Sequence, residues 1–141
     1  MSASDLVQTQ VGDLKRHLYD KKKLRALETS IGRFSEDEHL TGTGLFNSEG
    51  VSYYLVTNRG IHFSLELKTG FMKKEQAAQF ISHSDISSYE LVEVMGRAIG
   101  ARLYDADGVQ IAGFAFSDWP GLEDPLTRSR QLIQQLGFAL T

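Results

Sequence analysis

The spacing of hydrophobic residues divides the chain into a helical first third, a series of short strands and a final helix. Up to residue 35, apolar residues recur at helical intervals, in one set from Val7 to Leu18 and a second from Leu24 to Phe34. From Leu40 onward the apolar period shortens to two, most clearly over residues 61–68. The pattern therefore predicts N-terminal helices followed by about seven strands.

Turn residues set the predicted strand boundaries. Gly, Asn and Asp clusters separate apolar or alternating segments at 40–46, 51–57, 61–67, 80–82, 89–95, 99–104 and 109–116. The polar stretch between the third and fourth segments, residues 68–79, is predicted to be a loop. Asp107-Gly108 is typical of a tight hairpin turn.

The last segment has the signals of a capped amphipathic helix. Asp124 is a predicted N-cap, Pro125 occupies the first helical position, and Gly137 is a predicted C-cap. Short, regularly spaced strands and a terminal helix predict an α+β fold, in which an antiparallel β-barrel or sandwich of about seven strands is capped by the C-terminal helix.

Composition narrows the class of protein. The chain has 141 residues, of which 41% are hydrophobic and 23% charged, with a formal net charge of −3. The lack of cysteine excludes disulfides and thiolate metal sites. No apolar run approaches the ~18 residues of a membrane span, and residues 1–5 do not resemble a secretory signal, so a soluble cytoplasmic protein is expected.

Two segments resemble the hallmarks of bacterial pleckstrin-homology-like domains. Residues 54–64, with Thr57-Asn58-Arg59-Gly60 at the centre, are similar to the family's first hairpin. Asp85-Ile86-Ser87-Ser88 matches its second motif, although the proline and tyrosine that usually precede it are absent. The resemblance covers about residues 38–137 and is closest to the YokE-like branch. It implies a helical extension over residues 1–35 and a PH-like domain over residues 36–141.

The residues of the first motif are expected to be structural. Asn58 and Gly60 suit a tight turn with positive φ, and Ile86 of the second motif is expected in the core. The first predicted hairpin loop, 47–50, is acidic and has no cation, so the inositide site of lipid-binding PH domains is not carried over.

No catalytic or cofactor pattern emerges from the sequence. The histidines at 17, 39, 62 and 83 do not form a metal-ligand set, and His62 is expected to be solvated or hydrogen-bonded on a polar strand face. Phosphate-binding and nucleophile motifs are missing. We therefore predict a protein that is not an enzyme and has no cofactor and no metal.

Two groups of residues are candidate contact sites. The first is a basic set that could touch an anionic membrane surface, although a solvated face of a helix packed on the barrel is the favoured interpretation: Lys15, Arg16, Lys21, Lys22, Lys23 and Arg25. The second is Trp119, which either packs against the core or anchors a partner.

The sequence thus predicts a non-catalytic interaction module. It would bind a protein or peptide, for example by strand addition at a sheet edge, or assemble with copies of itself. Weak membrane or anionic-ligand binding through the basic helix is the alternative. A small regulatory or phage-encoded protein whose helical extension gives specificity is another. Nucleic acid is not an expected partner, because aromatic residues are not interleaved with cations, and no small-molecule substrate is identified.

Overall fold

A computed structural model describes residues 11–48, 50–70, 73–94 and 97–139. Residues 11–15 are helical and lead to α1. Seven strands, a short 3-10 turn at His83–Asp85 and a second helix follow, so the predicted order is confirmed. The elements are α1 (Lys21–Gly32), β1 (Leu40–Asn47), β2 (Val51–Thr57), β3 (Gly60–Gly70), β4 (Lys73–Ser82), β5 (Ser88–Val94), β6 (Arg97–Tyr104), β7 (Gln110–Ala115) and α2 (Pro125–Gln135).

Capping residues fix both ends of the helices. The Asp20 carboxylate accepts a hydrogen bond from the Lys22 N–H at 2.8 Å, so α1 begins three residues before its first leucine. It ends at Gly32, as the sequence predicted. The Asp124 side chain accepts from Thr127 N–H at 2.9 Å, with Pro125 in the first turn. Gly137, at φ 92°, follows α2 in the left-handed conformation that glycine tolerates.

The strands form one antiparallel sheet in the order β4-β3-β2-β1-β7-β6-β5. The predicted closed barrel is wrong, because among the described residues β4 and β5 do not pair and each forms an edge. At the centre, β1 and β7 share one described register pair, Asn47 with Ala115. The sheet is therefore two halves that meet at one point, which corresponds to the predicted sandwich.

The predicted loop at residues 68–79 is also wrong. β3 continues to Gly70, and β4 pairs with it from Lys73 through to Ser82, which lies opposite Gly60. The pattern predicts only the end of this strand, residues 80–82, because an edge strand is held by backbone hydrogen bonds on one side and needs few apolar residues.

Two hydrophobic clusters lie on opposite faces of β2. Tyr54 and Val56 point into a cluster that contains residues of both sheet halves and of α2. Tyr53 and Leu55 point to the other face, where they pack with residues of the helical segment 11–31. The alternation of side chains along a strand explains this division. The helical segment therefore shares a core with the sheet, while the domain boundary at residue 35 stays a prediction.

No helix among the described residues is both long and apolar enough to cross a membrane.

Candidate functional site

The predicted basic set is divided by the fold. Lys15 Nζ lies 3.3 Å from Glu28 Oε1, and Arg16 Nη1 lies 3.6 Å from Asp13 Oδ1. Each of these cations therefore has an acidic neighbour within its own helical region. Exposed pairs of this kind contribute little to stability, but they lower the local positive charge that a membrane surface would meet.

Lys23 does not belong to any exposed contact surface, and its assignment to one is wrong. It is 2% exposed and lies on the buried face of α1 with Ala26, Leu27 and Ser30. Its Nζ reaches toward Gly50, in the turn between β1 and β2, because this face of α1 packs across the sheet. The other predicted cations of α1, Lys21, Lys22 and Arg25, are exposed.

Trp119 packs against the guanidinium of Arg128. The indole is half-buried, and Arg128 Cζ lies 5.8 Å from its ring centroid and 5.4 Å from that of Phe116. Both distances suit cation–π contacts. Of the two predicted roles, core packing therefore has geometric support, and the role of partner anchor stays a prediction.

Arg128 is a buried cation held by backbone carbonyls. Its Nε donates to the Glu123 carbonyl at 2.8 Å, its Nη1 to that of Leu45 at 3.5 Å, and its Nη2 to that of Ser117. These bonds join α2, the segment before it and β1. No sequence pattern indicates this role, because Arg128 falls at a position of α2 that looks like any other polar helix position.

His62 is buried rather than solvated, and it is hydrogen-bonded. Its Nε2 lies 2.7 Å from Glu38 Oε2, and the two side chains are 4% and 3% exposed. The imidazole is flanked by Phe34 at 4.8 Å and Phe80 at 4.6 Å between ring centroids. Because both polar side chains are sealed in this way, the arrangement joins two parts of the fold and does not present a base to a substrate.

The Glu38 carboxylate is saturated with donors. Thr57 Oγ1 donates to Oε2 at 2.6 Å, and the Ser35 N–H donates to Oε1 at 3.0 Å. Burial raises the pKa of Glu38, but the hydrogen bonds from Thr57, His62 and Ser35 outweigh it and hold the pKa below its usual value. Ser35 and Glu38 have the spacing of a capping box, in which a glutamate three residues after a serine accepts from the backbone N–H of that serine.

The motif at Thr57–Gly60 is a compact hairpin, as the resemblance implied. Thr57 Oγ1 accepts from the N–H groups of Arg59 and Gly60 at 3.1 and 3.3 Å. Gly60 does not have positive φ, contrary to expectation. It is needed for close approach, because a Cβ at this position would lie 2.0 Å from the Ile81 carbonyl oxygen. Ile86 of the second motif is 8% exposed, in the core as predicted.

The two sheet edges differ in how they are covered. At β4, Arg33 Nη1 donates to the Ala78 carbonyl at 3.1 Å, so the segment after α1 occupies part of that edge. At β5, every described backbone pairing is with β6, from Ser88 opposite Tyr104 to Val94 opposite Arg97. Among the described residues, no other element donates to or accepts from the β5 backbone. β5 is therefore the open edge.

The side chains along β5 include both apolar and acidic groups. Tyr89 and Leu91 pack against the core, and Tyr89 also contacts Phe138 at 5.2 Å between ring centroids. Glu90 and Glu93 are exposed, and Glu90 Oε1 lies 3.5 Å from Arg102 Nη1 on β6. Since side chains alternate along a strand, Glu90 lies on the face opposite Tyr89 and Leu91, whereas Glu93 lies on the same face as those two, beyond Leu91. An incoming strand would thus meet Glu90 on one face and Tyr89, Leu91 and then Glu93 on the other.

Metal binding has no support within the described part of the chain, where no three histidine, aspartate or glutamate side chains group around a common point. In comparisons with known proteins, no protein-family model and no curated sequence matches this chain.

Proposed function

We propose that this protein is a non-catalytic interaction module of PH-like fold that binds an extended peptide segment of a partner protein at the edge of β5. The observation that supports this most directly is the open backbone edge over Ser88–Val94. Unpaired strand N–H and C=O groups are a template for a further strand, and peptide-binding domains use edges in this way.

The architecture agrees with the PH-like part of the proposal. Seven antiparallel strands precede a C-terminal helix. The Thr57–Gly60 motif falls on the turn between β2 and β3, and Asp85–Ser88 falls where the chain enters β5. The order and position of these elements are those that the family resemblance implies.

Charge indicates the composition of the peptide. Glu90 and Glu93 lie on the exposed edge, and Arg102 is close to Glu90 alone. A strand with a lysine or arginine beside these glutamates gains cross-strand pairs, each contributing about 0.2–1 kcal/mol. Apolar residues beside Tyr89 and Leu91 would extend their surface. The preferred ligand is therefore an extended segment with two cations three residues apart, to match Glu90 and Glu93, and with apolar residues beside Tyr89 and Leu91.

The same charges disfavour self-assembly through β5. In an antiparallel pair of two β5 strands, registers that place Glu90 opposite Glu90 or Glu93 bring like charges together. Like charges directly opposite are destabilising. A partner protein is therefore a better occupant of this edge than a second copy of the chain.

A peptide titration monitored by amide NMR tests the proposal. The probe is a short synthetic peptide of valine and lysine, with its lysines three residues apart to match Glu90 and Glu93, and we expect saturable shifts that follow β5 and β6. Replacing lysine by glutamate in the peptide, or introducing Glu90→Lys with Glu93→Lys in the protein, should abolish them. Glu36→Lys, an exposed acid outside β5, is the matched control and should bind like the wild type.

Two results would contradict the proposal. One is equal binding of the lysine and glutamate peptides, which would mean that the acidic edge does not select the ligand. The other is a set of shifts that map to β4 or α1 and leave β5 unchanged.

A further inference from the structure

A cleft lies where residues 13–17 approach α2, and none of its described lining residues belongs to β5. Its volume is about 300 Å³, near the lower end of the range for small-molecule sites. β1 forms one wall, and the segment 121–123 before α2 forms another. A cleft of this size suits a small metabolite rather than a peptide.

The wall contributed by α2 contains the buried cation Arg128, which is 7% exposed. Its described hydrogen-bond partners are backbone carbonyls, and within the described residues no carboxylate lies at ion-pair distance from the guanidinium. Carbonyl dipoles only partly offset the cost of burying a full charge. A guanidinium in this state favours a ligand that brings a planar carboxylate to its remaining N–H groups.

Two carboxylates of the protein also line this cleft. They belong to Asp13, whose neighbour is the exposed Arg16, and to Glu123, whose Oε2 accepts from Gln131 Nε2 at 2.8 Å. Both residues are exposed and keep free acceptor capacity, because a carboxylate accepts about four hydrogen bonds. They would repel a simple anion but attract a ligand that also has an ammonium group.

Three leucines form the apolar part of the lining, Leu14, Leu45 and Leu122. They supply a surface for an aliphatic side chain beside the charged groups of the cleft. A guanidinium, two carboxylates and an aliphatic surface together match the carboxylate, ammonium and side chain of one α-amino acid.

We propose that this cleft binds a free α-amino acid with an aliphatic side chain, with the ligand carboxylate on Arg128 and its ammonium group toward Asp13 and Glu123. The inference is independent of the β5 edge, so either site can fail without the other.

Calorimetric titration of the full chain with L-leucine tests this site. We expect saturable binding by leucine. Binding should be at least about tenfold weaker for 4-methylpentanoate, which lacks the ammonium group, and for 3-methylbutylamine, which lacks the carboxylate. The single tryptophan, Trp119, whose ring lies 5.8 Å from Arg128 Cζ, gives a parallel fluorescence readout.

The decisive variant combines Asp13→Asn with Glu123→Gln, since both side chains are exposed and the fold does not depend on their charge. It should weaken leucine binding by about tenfold and leave 4-methylpentanoate binding unchanged or stronger, because the repulsion of the anion is removed. Glu36→Gln, an exposed acid outside the cleft, should bind leucine like the wild type.

Three results would overturn the proposal. The first is no saturable leucine binding up to about 10 mM. The second is equal binding of leucine and 4-methylpentanoate, which would indicate a general anion site. The third is an Asp13→Asn, Glu123→Gln protein that binds leucine as tightly as the wild type.

Discussion

Nε2 of His62 lies 2.7 Å from Oε2 of Glu38, and both side chains are almost fully buried. The pair joins β3 to the segment between α1 and β1. Since Glu38 also accepts from Thr57 at the β2–β3 hairpin, one carboxylate links three parts of the fold.

Glu38→Gln should lower the free energy of unfolding by about 1.5–3 kcal/mol, the range for hydrogen bonds to a charged group. The substitution keeps the shape of the side chain but places an amide where the structure needs an acceptor for several donors. Urea denaturation followed by circular dichroism measures the change. Glu36→Gln is the matched control, because Glu36 is exposed, and it should stay within about 0.5 kcal/mol of the wild type. Equal stabilities of the two variants would contradict the role of Glu38.

The free energy of unfolding should fall in acid, partly because the Glu38 carboxylate becomes protonated. The pKa of Glu38 in the folded state is below its usual value of 4.5, since the hydrogen bonds outweigh the effect of burial. A lowered carboxyl pKa stabilises the fold above the unfolded-state pKa, and this contribution is lost as the pH falls through the folded-state pKa. Urea midpoints measured from pH 7 down to acid should therefore converge for the wild type and Glu38→Gln. A constant difference between them below pH 4.5 would contradict this assignment.

Gly44→Ala should destabilise the protein by about 1–3 kcal/mol, the range for overpacking. A Cβ at Gly44 would lie 2.2 Å from atoms of the Tyr54 ring, which is 2% exposed and fixed within the core. Gly32→Ala is the control, because a Cβ there meets nothing within 4 Å and replaces glycine in the last position of α1. It should be neutral or stabilising by up to about 1 kcal/mol. Thermal unfolding of both variants compares them, and a tolerated Gly44→Ala would mean that Tyr54 can move.

Arg128→Ala should cost more than about 2 kcal/mol, because it removes bonds to three carbonyls and a packed guanidinium stem. Arg130→Ala, two residues further along the same helix and exposed, should stay within about 0.5 kcal/mol of the wild type. Chemical denaturation followed by the fluorescence of Trp119 provides the measurement. A similar loss of unfolding free energy in both variants would contradict the role of Arg128, because it would show that removing any arginine from this helix has the same effect.

Anionic vesicles should bind the protein weakly. Lys15 and Arg16 have acidic neighbours, and Lys23 is buried, so Lys21, Lys22 and Arg25 are the exposed cations of α1. At about 1 kcal/mol for each cation near the surface, they do not provide stable anchoring. Sedimentation with phosphatidylserine vesicles at low and high salt measures this. Strong, salt-sensitive binding that is lost on replacing Lys21 and Arg25 by glutamine would contradict the expectation.

Sequence pattern predicted the elements whose signals are local. The caps at Asp124 and Gly137 and the alternating residues of β3 are examples, because each depends on the residue and its immediate neighbours. The first seven residues of β4 were missed because their strand conformation comes from pairing with β3 and they are mostly polar; only the end of the strand, residues 80–82, was predicted. The closed barrel was wrong for a related reason, since strand order does not determine whether the two outer strands meet.

The candidate sites were predicted less well than the fold. Lys23 looked like a member of a basic surface, and its burial is decided by the packing of α1 on the sheet. His62 was expected on a polar strand face, because its neighbours in β3 alternate between apolar and polar residues. The segment that buries it contains Phe34 and Glu38, and Glu38 lies 24 residues earlier in the chain, so the local pattern does not reveal the contact. The open edge of β5 follows from topology, which no single motif encodes.

The single register pair described between β1 and β7, Asn47 with Ala115, has a consequence for how the molecule unfolds. With so little backbone bonding described at the centre, cooperativity between the two halves depends on side-chain packing, through the cluster that contains residues of both halves and through α2, which packs against β6 on one side and β1 on the other. α2 therefore holds the two halves of the sheet together. Loosening it would let β1–β4 and β5–β7 melt as separate units, with the strand that presents the open edge in the smaller one.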